Sequence, residues 1–120
     1  MNLTIVAIGK MVVRAYKLAK RLEKDGIETE VINTRFIKPL DLDTIKKSFD
    51  KTGYIVSIED GDAENGLGSI IKNHFDTNKV LAIGYPNTYL PHGKIEEIEK
   101  IYQMDEDSIY LKIKEFIENK

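Results

Sequence analysis

Cysteine is absent from the 120 residues, which rules out a disulfide scaffold, a thiolate nucleophile and a thiolate metal site. Tryptophan is also absent, and both histidines, His74 and His92, lie in the second half. No apolar run approaches the roughly 20 residues needed to span a bilayer. Asn2 leads into a strand-like run rather than the basic n-region of a signal peptide. With cysteine missing, this suits a cytoplasmic protein. Only three prolines occur, with no proline-rich linker, internal repeat or low-complexity segment. One domain over residues 1–120 is therefore expected. The net charge of -2 gives no drive toward nucleic acid or anionic membranes, so neither is expected as a partner. What is present, 42% apolar and 32% charged residues, is the balance of a globular chain with a single core.

Leu3-Thr4-Ile5-Val6-Ala7-Ile8 is a short run rich in β-branched residues, ended by Gly9. It reads as a central strand buried on both faces. Met11, Ala15, Leu18, Ala19 and Leu22 recur at helical spacing and predict a helix from about 11 to 25, stopped by Gly26. Its other face carries Lys10, Arg14, Lys17, Arg21 and Lys24. Nucleic-acid binding needs a broader basic footprint than one helix face, so this stripe reads as solvated, with Glu23 and Asp25 nearby. Residues 28–33 predict a second strand, and Asp41 predicts the N-cap of a helix bearing Leu42, Ile45 and Phe49. A third strand is expected over 54–58, then a loop from Glu59 to Gly66. The next helix, 67–75, has Leu67, Ile70, Ile71, His74 and Phe75 facing inward. His74 is read as a packed or capping histidine near a helix C-terminus. A fourth strand over 80–83 precedes a proline- and glycine-bracketed loop. A short helix with Ile95, Ile98, Ile101 and Tyr102 on its stripe follows. The last helix is capped by Asp105 and buries Ile109, Ile113, Phe116 and Ile117. This alternation predicts a three-layer α/β/α domain around a mostly parallel sheet of about four strands in order 2-1-3-4.

The turn after the third strand is the chemically richest stretch. Asp60, Asp62 and Glu64 alternate, but counting from Asp60 the sixth and twelfth positions hold Asn65 and Ile71, so an EF-hand loop fails. Gly66-Leu67-Gly68-Ser69 opens a helix and could offer backbone N–H groups to a phosphate. The acids just upstream repel one and instead complement the positive helix end. The Gly-Lys-Ser/Thr of a Walker A loop is missing, and Gly9-Lys10-Met11-Val12 is no dinucleotide fingerprint. Gly9 and Lys10 also stand where a receiver module would need acids for Mg²⁺. Arg35 sits just past a strand end, either projecting into a site or pairing with a neighbouring acid. His92 is the best general acid or base by residue type, although no carboxylate or nucleophile is placed beside it.

Several segments, in order, resemble the transketolase C-terminal domain family over nearly the whole chain. They are Leu3 to Val12, then Asn33-Thr34-Arg35-Phe36-Ile37-Lys38-Pro39-Leu40-Asp41, then Ser57-Ile58-Glu59-Asp60 with Gly66-Leu67-Gly68-Ser69. Leu90-Pro91-His92-Gly93 and Met104-Asp105-Glu106-Asp107-Ser108-Ile109 are most similar to the C-terminal domain of 1-deoxy-D-xylulose-5-phosphate synthases. Transketolase and the 2-oxoacid dehydrogenase E1 β subunits, in which this domain docks a carrier protein, share the earlier motifs. The resemblance implies a full-length homodimeric transferase that uses thiamine diphosphate and Mg²⁺ in isoprenoid precursor synthesis. It would join a pyruvate-derived two-carbon unit to glyceraldehyde 3-phosphate with release of CO₂. Cofactor, metal and catalytic groups would come from upstream domains or a subunit of the same enzyme. No catalytic, cofactor-binding or metal residue is therefore expected in this chain, which would be inactive alone, as an excised fragment or a separate subunit. Arg35, Glu59, Gly66, Gly68 and His92 remain as expected domain-contact or loop-geometry residues.

Overall fold

The computed structural model describes residues 2–34, 40–62, 66–85 and 95–119. In chain order these form β1 (Asn2–Ile8), α1 (Met11–Lys24), β2 (Glu28–Thr34), α2 (Leu42–Thr52), β3 (Ile55–Asp62) and α3 (Leu67–His74). A 3₁₀ turn (Thr77–Lys79), β4 (Val80–Tyr85), α4 (Ile95–Ile101) and α5 (Glu106–Glu118) complete them. The four strands pair in parallel in the order β2-β1-β3-β4, as the alternation of elements predicts.

The period-2 geometry of strands divides the core into two halves. Leu3, Ile5 and Ala7 of β1 face α1 and α5, meeting Met11, Ala15, Leu18, Leu22, Ile109 and Ile113. Val6, Ile55 and Val80 face the opposite layer, meeting Ile45 of α2 with Leu67 and Ile71 of α3. The result is the expected three-layer α/β/α arrangement. The buried residues of α1 are the five that its spacing singles out. The helix ends in a Schellman motif, in which Gly26 at φ +84° donates to the Glu23 carbonyl and Ile27 donates to the Leu22 carbonyl. Asp41 caps α2, its carboxylate accepting from the Thr44 backbone N–H at 3.1 Å and the Thr44 hydroxyl at 2.7 Å. Asp105 caps α5 in the same way through Ser108. The Ser108 hydroxyl holds the Asp105 carboxyl below its ordinary value.

Three sequence expectations are corrected. The third strand does not stop at Ile58; it continues to Asp62, after a register shift, where Asp62 pairs with Tyr85. Acids and glycine are poor strand formers, but pairing with β4 carries them into the sheet. His74 is exposed rather than inward, and its ring Nδ1 lies 3.0 Å from the Ile70 carbonyl. Phe75, extended at the helix end, packs on Phe49 with ring centroids 5.1 Å apart. Ile101 is 63% exposed, whereas Ile98 and Tyr102 of the same segment are half-buried.

The basic stripe of α1 is also less solvated than expected. Arg14 reaches α4 and the turn before α5. Arg21 donates to Glu106 and Asp107 while its guanidinium lies 4.0 Å from the Tyr110 ring centroid. These contacts tie the last two helices to the first.

Two buried polar sites differ in how well they are satisfied. Thr4 of β1 shares hydrogen bonds with the Ser48 hydroxyl at 2.6 Å and the Thr52 hydroxyl at 2.7 Å. Ser57, in the middle of β3 between Val6 and Ala82, is fully buried and its Oγ has no hydrogen-bond partner among the described residues. A buried hydroxyl without a partner costs about 1 to 3 kcal/mol in desolvation. Ser57→Ala is therefore expected to raise stability by about 1 kcal/mol, read as a higher urea midpoint at unchanged slope. A lower midpoint would mean that the hydroxyl is satisfied.

Candidate functional site

In an open parallel sheet, ligand crevices form outside the carboxyl ends of the strands where the strand order reverses. Here that reversal lies between β1 and β3, with β1 leading to β2 on one side and β3 to β4 on the other. Two features stand there, one closed and one open.

The closed feature is Glu59. Its side chain is only 3% exposed. One carboxylate oxygen accepts from the Leu67 backbone N–H at 3.0 Å and the other from the Gly68 backbone N–H at 2.9 Å. These are orphan donors at the start of α3, where the helix dipole favours negative charge. A carboxylate carried by β3 thus caps α3 across the connection between them. Gly66 is the N-cap, half-buried, and its carbonyl accepts from Ile70 N–H at 3.3 Å. Gly68 is buried, with no side chain between its N–H and Glu59. Two of the donors that the glycine-rich stretch could have offered to a phosphate, those of Leu67 and Gly68, are therefore taken by the protein itself.

The open feature is a cavity of 370 Å³ between the first turn of α1, the ends of β3 and β4, and α4. Lys10 and Arg14, one helical turn apart, border it on one side, and Asp60 follows from β3. Tyr85 closes it from β4, Glu99 from α4, and Met11 and Ile98 add apolar wall. Gly9, at φ +66°, makes the sharp turn from β1 into α1. A side-chain carbon placed on Gly9 would lie 3.7 Å from Asp60 Oδ1, so the Asp60 carboxylate sits over this turn. Arg14 Nη1 donates to Glu99 Oε2 at 2.5 Å and to the Met104 carbonyl at 2.6 Å. Tyr85 packs edge-on against Tyr102, with centroids 5.8 Å apart. Burial pushes the Tyr85 phenol above its ordinary value; Glu99 and Asp60 add to this and Arg14 opposes it. The phenol thus stays protonated at neutral pH. A larger cavity of 580 Å³ opens at the amino ends of β1 and β2, where Glu23, Glu28, Glu30 and Lys51 line it. Lys51 is already paired there with Glu30 at 3.0 Å.

Of the residues singled out from sequence, Glu59, Gly66 and Gly68 meet at one place. Arg35 and His92 lie outside the described residues. Lys10 was read as part of the solvated stripe of α1 and Asp60 as part of a failed calcium loop and a family segment, neither as a site residue, and Tyr85 and Glu99 were missed as site residues. A signal for the first two existed: the predicted strand order puts the residues after β1 and β3 side by side. For Glu99 no local pattern existed, because its partner Arg14 is 85 positions away. Among the described residues no group of three or more His, Asp or Glu is placed to hold a metal ion.

Comparison with known proteins adds the family context. A family model described as the C-terminal domain of transketolase matches residues 1–109. The 1-deoxy-D-xylulose-5-phosphate synthase of Clostridium acetobutylicum is 39% identical over 120 residues, covering 96% of this chain and 19% of that protein. The synthase of Clostridium tetani is 33% identical over 112 residues, covering 90% and 18%. One of the subunits of the apulose-4-phosphate transketolase of Phocaeicola vulgatus is 34% identical over 118 residues, covering 97% and 38%. A solved structure of a split-gene transketolase, described as an inactive tetramer of its beta chains, superposes with a TM-score of 0.83 at 24% identity. It covers 95% of this chain and 38% of that one, and it shows the shared fold.

Proposed function

The chain belongs to the transketolase C-terminal domain family, and from that premise we propose that it is the C-terminal domain of a 1-deoxy-D-xylulose-5-phosphate synthase. The observation that carries this reading is the 39% identity, sustained over 120 residues, with the Clostridium acetobutylicum synthase. The chain spans 18% to 19% of such synthases, so the remaining parts of the enzyme are needed for the whole activity.

In this reading the full enzyme is a cytoplasmic homodimer that condenses pyruvate with glyceraldehyde 3-phosphate and releases CO₂. Thiamine diphosphate with Mg²⁺ supplies the decarboxylating chemistry when bound to the full enzyme. The residues described here do not fit that group. The Leu67 and Gly68 donors of α3 are bound by Glu59, and Asp60 places a negative charge at the start of α1. The domain's contribution is structural, with Arg35, Glu59, Gly66, Gly68 and His92 serving domain contact or loop geometry.

The test uses the intact enzyme that carries this domain, with carboxyl-labelled pyruvate and glyceraldehyde 3-phosphate. Labelled CO₂ released in step with 1-deoxy-D-xylulose 5-phosphate is the expected result. Transfer of two-carbon units between sugar phosphates without CO₂ would instead establish a transketolase, the second reading, which the similarity to the apulose-4-phosphate transketolase supports. Calorimetric titration of the chain alone with thiamine diphosphate and Mg²⁺ is expected to give no binding heat. Tight binding would overturn the structural role.

A further inference from the structure

The 370 Å³ cavity at the strand-order reversal is not used by the proposed function. Its lining combines features that narrow what it can hold. Lys10 and Arg14 stand at i and i+4, so both cations lie along one edge of α1. Asp60 and Glu99 supply two carboxylates from β3 and α4. The charges of the four cancel, yet only Arg14 and Glu99 form an ion pair with each other. Lys10 and Asp60 do not approach within salt-bridge distance of any described residue. The Tyr85 hydroxyl likewise has no hydrogen-bond partner among the described residues. Arg14 bonds through Nη1 alone among those residues, which leaves its Nε and Nη2 donors uncommitted there. Met11, Ile98 and the Tyr85 ring form an apolar wall beside these groups.

A phosphate-bearing ligand would meet the two carboxylates, and a simple cation would meet the two basic side chains. A ligand with one charge of each sign, a short distance apart, meets complementary groups on both sides. We propose that this cavity binds a small zwitterion of the α-amino acid class with an apolar side chain. Its carboxylate lies between Lys10 and Arg14, where a guanidinium offers paired donors. Its ammonium lies at Asp60, with the Tyr85 hydroxyl within the same pocket. Its side chain packs on Met11, Ile98 and the Tyr85 ring, the mix of apolar wall and few polar groups typical of small-molecule pockets.

The test is an amide-resolved NMR titration of this chain at neutral pH with L-leucine and L-phenylalanine. Parallel titrations use isopentylamine, which lacks the carboxylate, and 4-methylpentanoate, which lacks the amine. At least one amino acid is expected to shift the amides of Lys10, Arg14, Asp60 and Tyr85, with each single-charge analogue weaker by about tenfold or more. Lys10→Ala and Asp60→Asn, both at exposed side chains, are each expected to weaken amino-acid binding by about tenfold. Their spectra report directly whether the fold is kept. Should one variant fail to fold, the other variant and the analogue series still decide. Equal affinity for the amino acid and 4-methylpentanoate would overturn the proposal. So would an absence of shifts with both amino acids up to their solubility.

Discussion

Replacing Glu59 with alanine is expected to cost about 3 kcal/mol of folding free energy. The change removes a buried carboxylate and strands the Leu67 and Gly68 N–H groups it accepts from. Each buried donor left without a partner costs about 1 to 3 kcal/mol. Two such donors together give about 2 to 6 kcal/mol, and water entering beside the half-buried Gly66 places the total in the lower half of that span. Glu59→Gln keeps one acceptor oxygen but turns an NH₂ group toward the second donor, so about 2 kcal/mol is expected. Urea unfolding of the three proteins measures both losses. Hydrogen exchange should localise the Glu59→Ala defect, with α3 amides losing protection before those of β1. A Glu59→Ala loss below about 1 kcal/mol would show that water replaces the carboxylate without penalty.

The second large effect concerns the layer on the opposite face. Ile113 of α5 is fully buried in the cluster that joins Leu3, Ile5 and Leu22. Ile113→Ala is expected to destabilise by about 3 to 4 kcal/mol, the lost transfer free energy plus the cavity left behind. Leu111 stands two residues away on the same helix and is 65% exposed. Leu111→Ala is expected to stay within about 0.5 kcal/mol of the parent. The contrast tests whether α5 is an integral wall of the core rather than a helix lying on it. Similar small losses at both positions would mean that α5 is only loosely attached.

The parts of the fold that were legible from sequence are those governed by local period. The five buried positions of α1, the caps at Asp41 and Asp105 and the terminator at Gly26 each depend on residues within a few positions. The strand order followed because parallel crossovers have a fixed hand. What was not legible depended on distant partners. Glu59 to Asp62 read as a loop because its composition disfavours strands, but β4 pairs with its far end. Arg14 and Arg21 read as solvated because their acids arrive some 85 positions later. His74 fitted the helical stripe by spacing, but it is the last helical residue and exposed, while Phe75, extended past the helix end, packs on Phe49. The site followed the same pattern. The position of the turn was readable, whereas the use of its donors by Glu59 needed a contact across eight residues.

The placement of β1 in the interior of the sheet also has a kinetic consequence. Thr4 pairs with Glu30 on one side and with Ile55 on the other. β1 is therefore not enclosed until a partner 51 positions later arrives. Parallel pairings over such separations must close long loops before any contact rewards them. Folding slower than that of a helical bundle of this size is expected, measured by stopped-flow refolding from urea. During synthesis the apolar β1 segment must wait, unpaired on one side, for more than a third of the chain to follow.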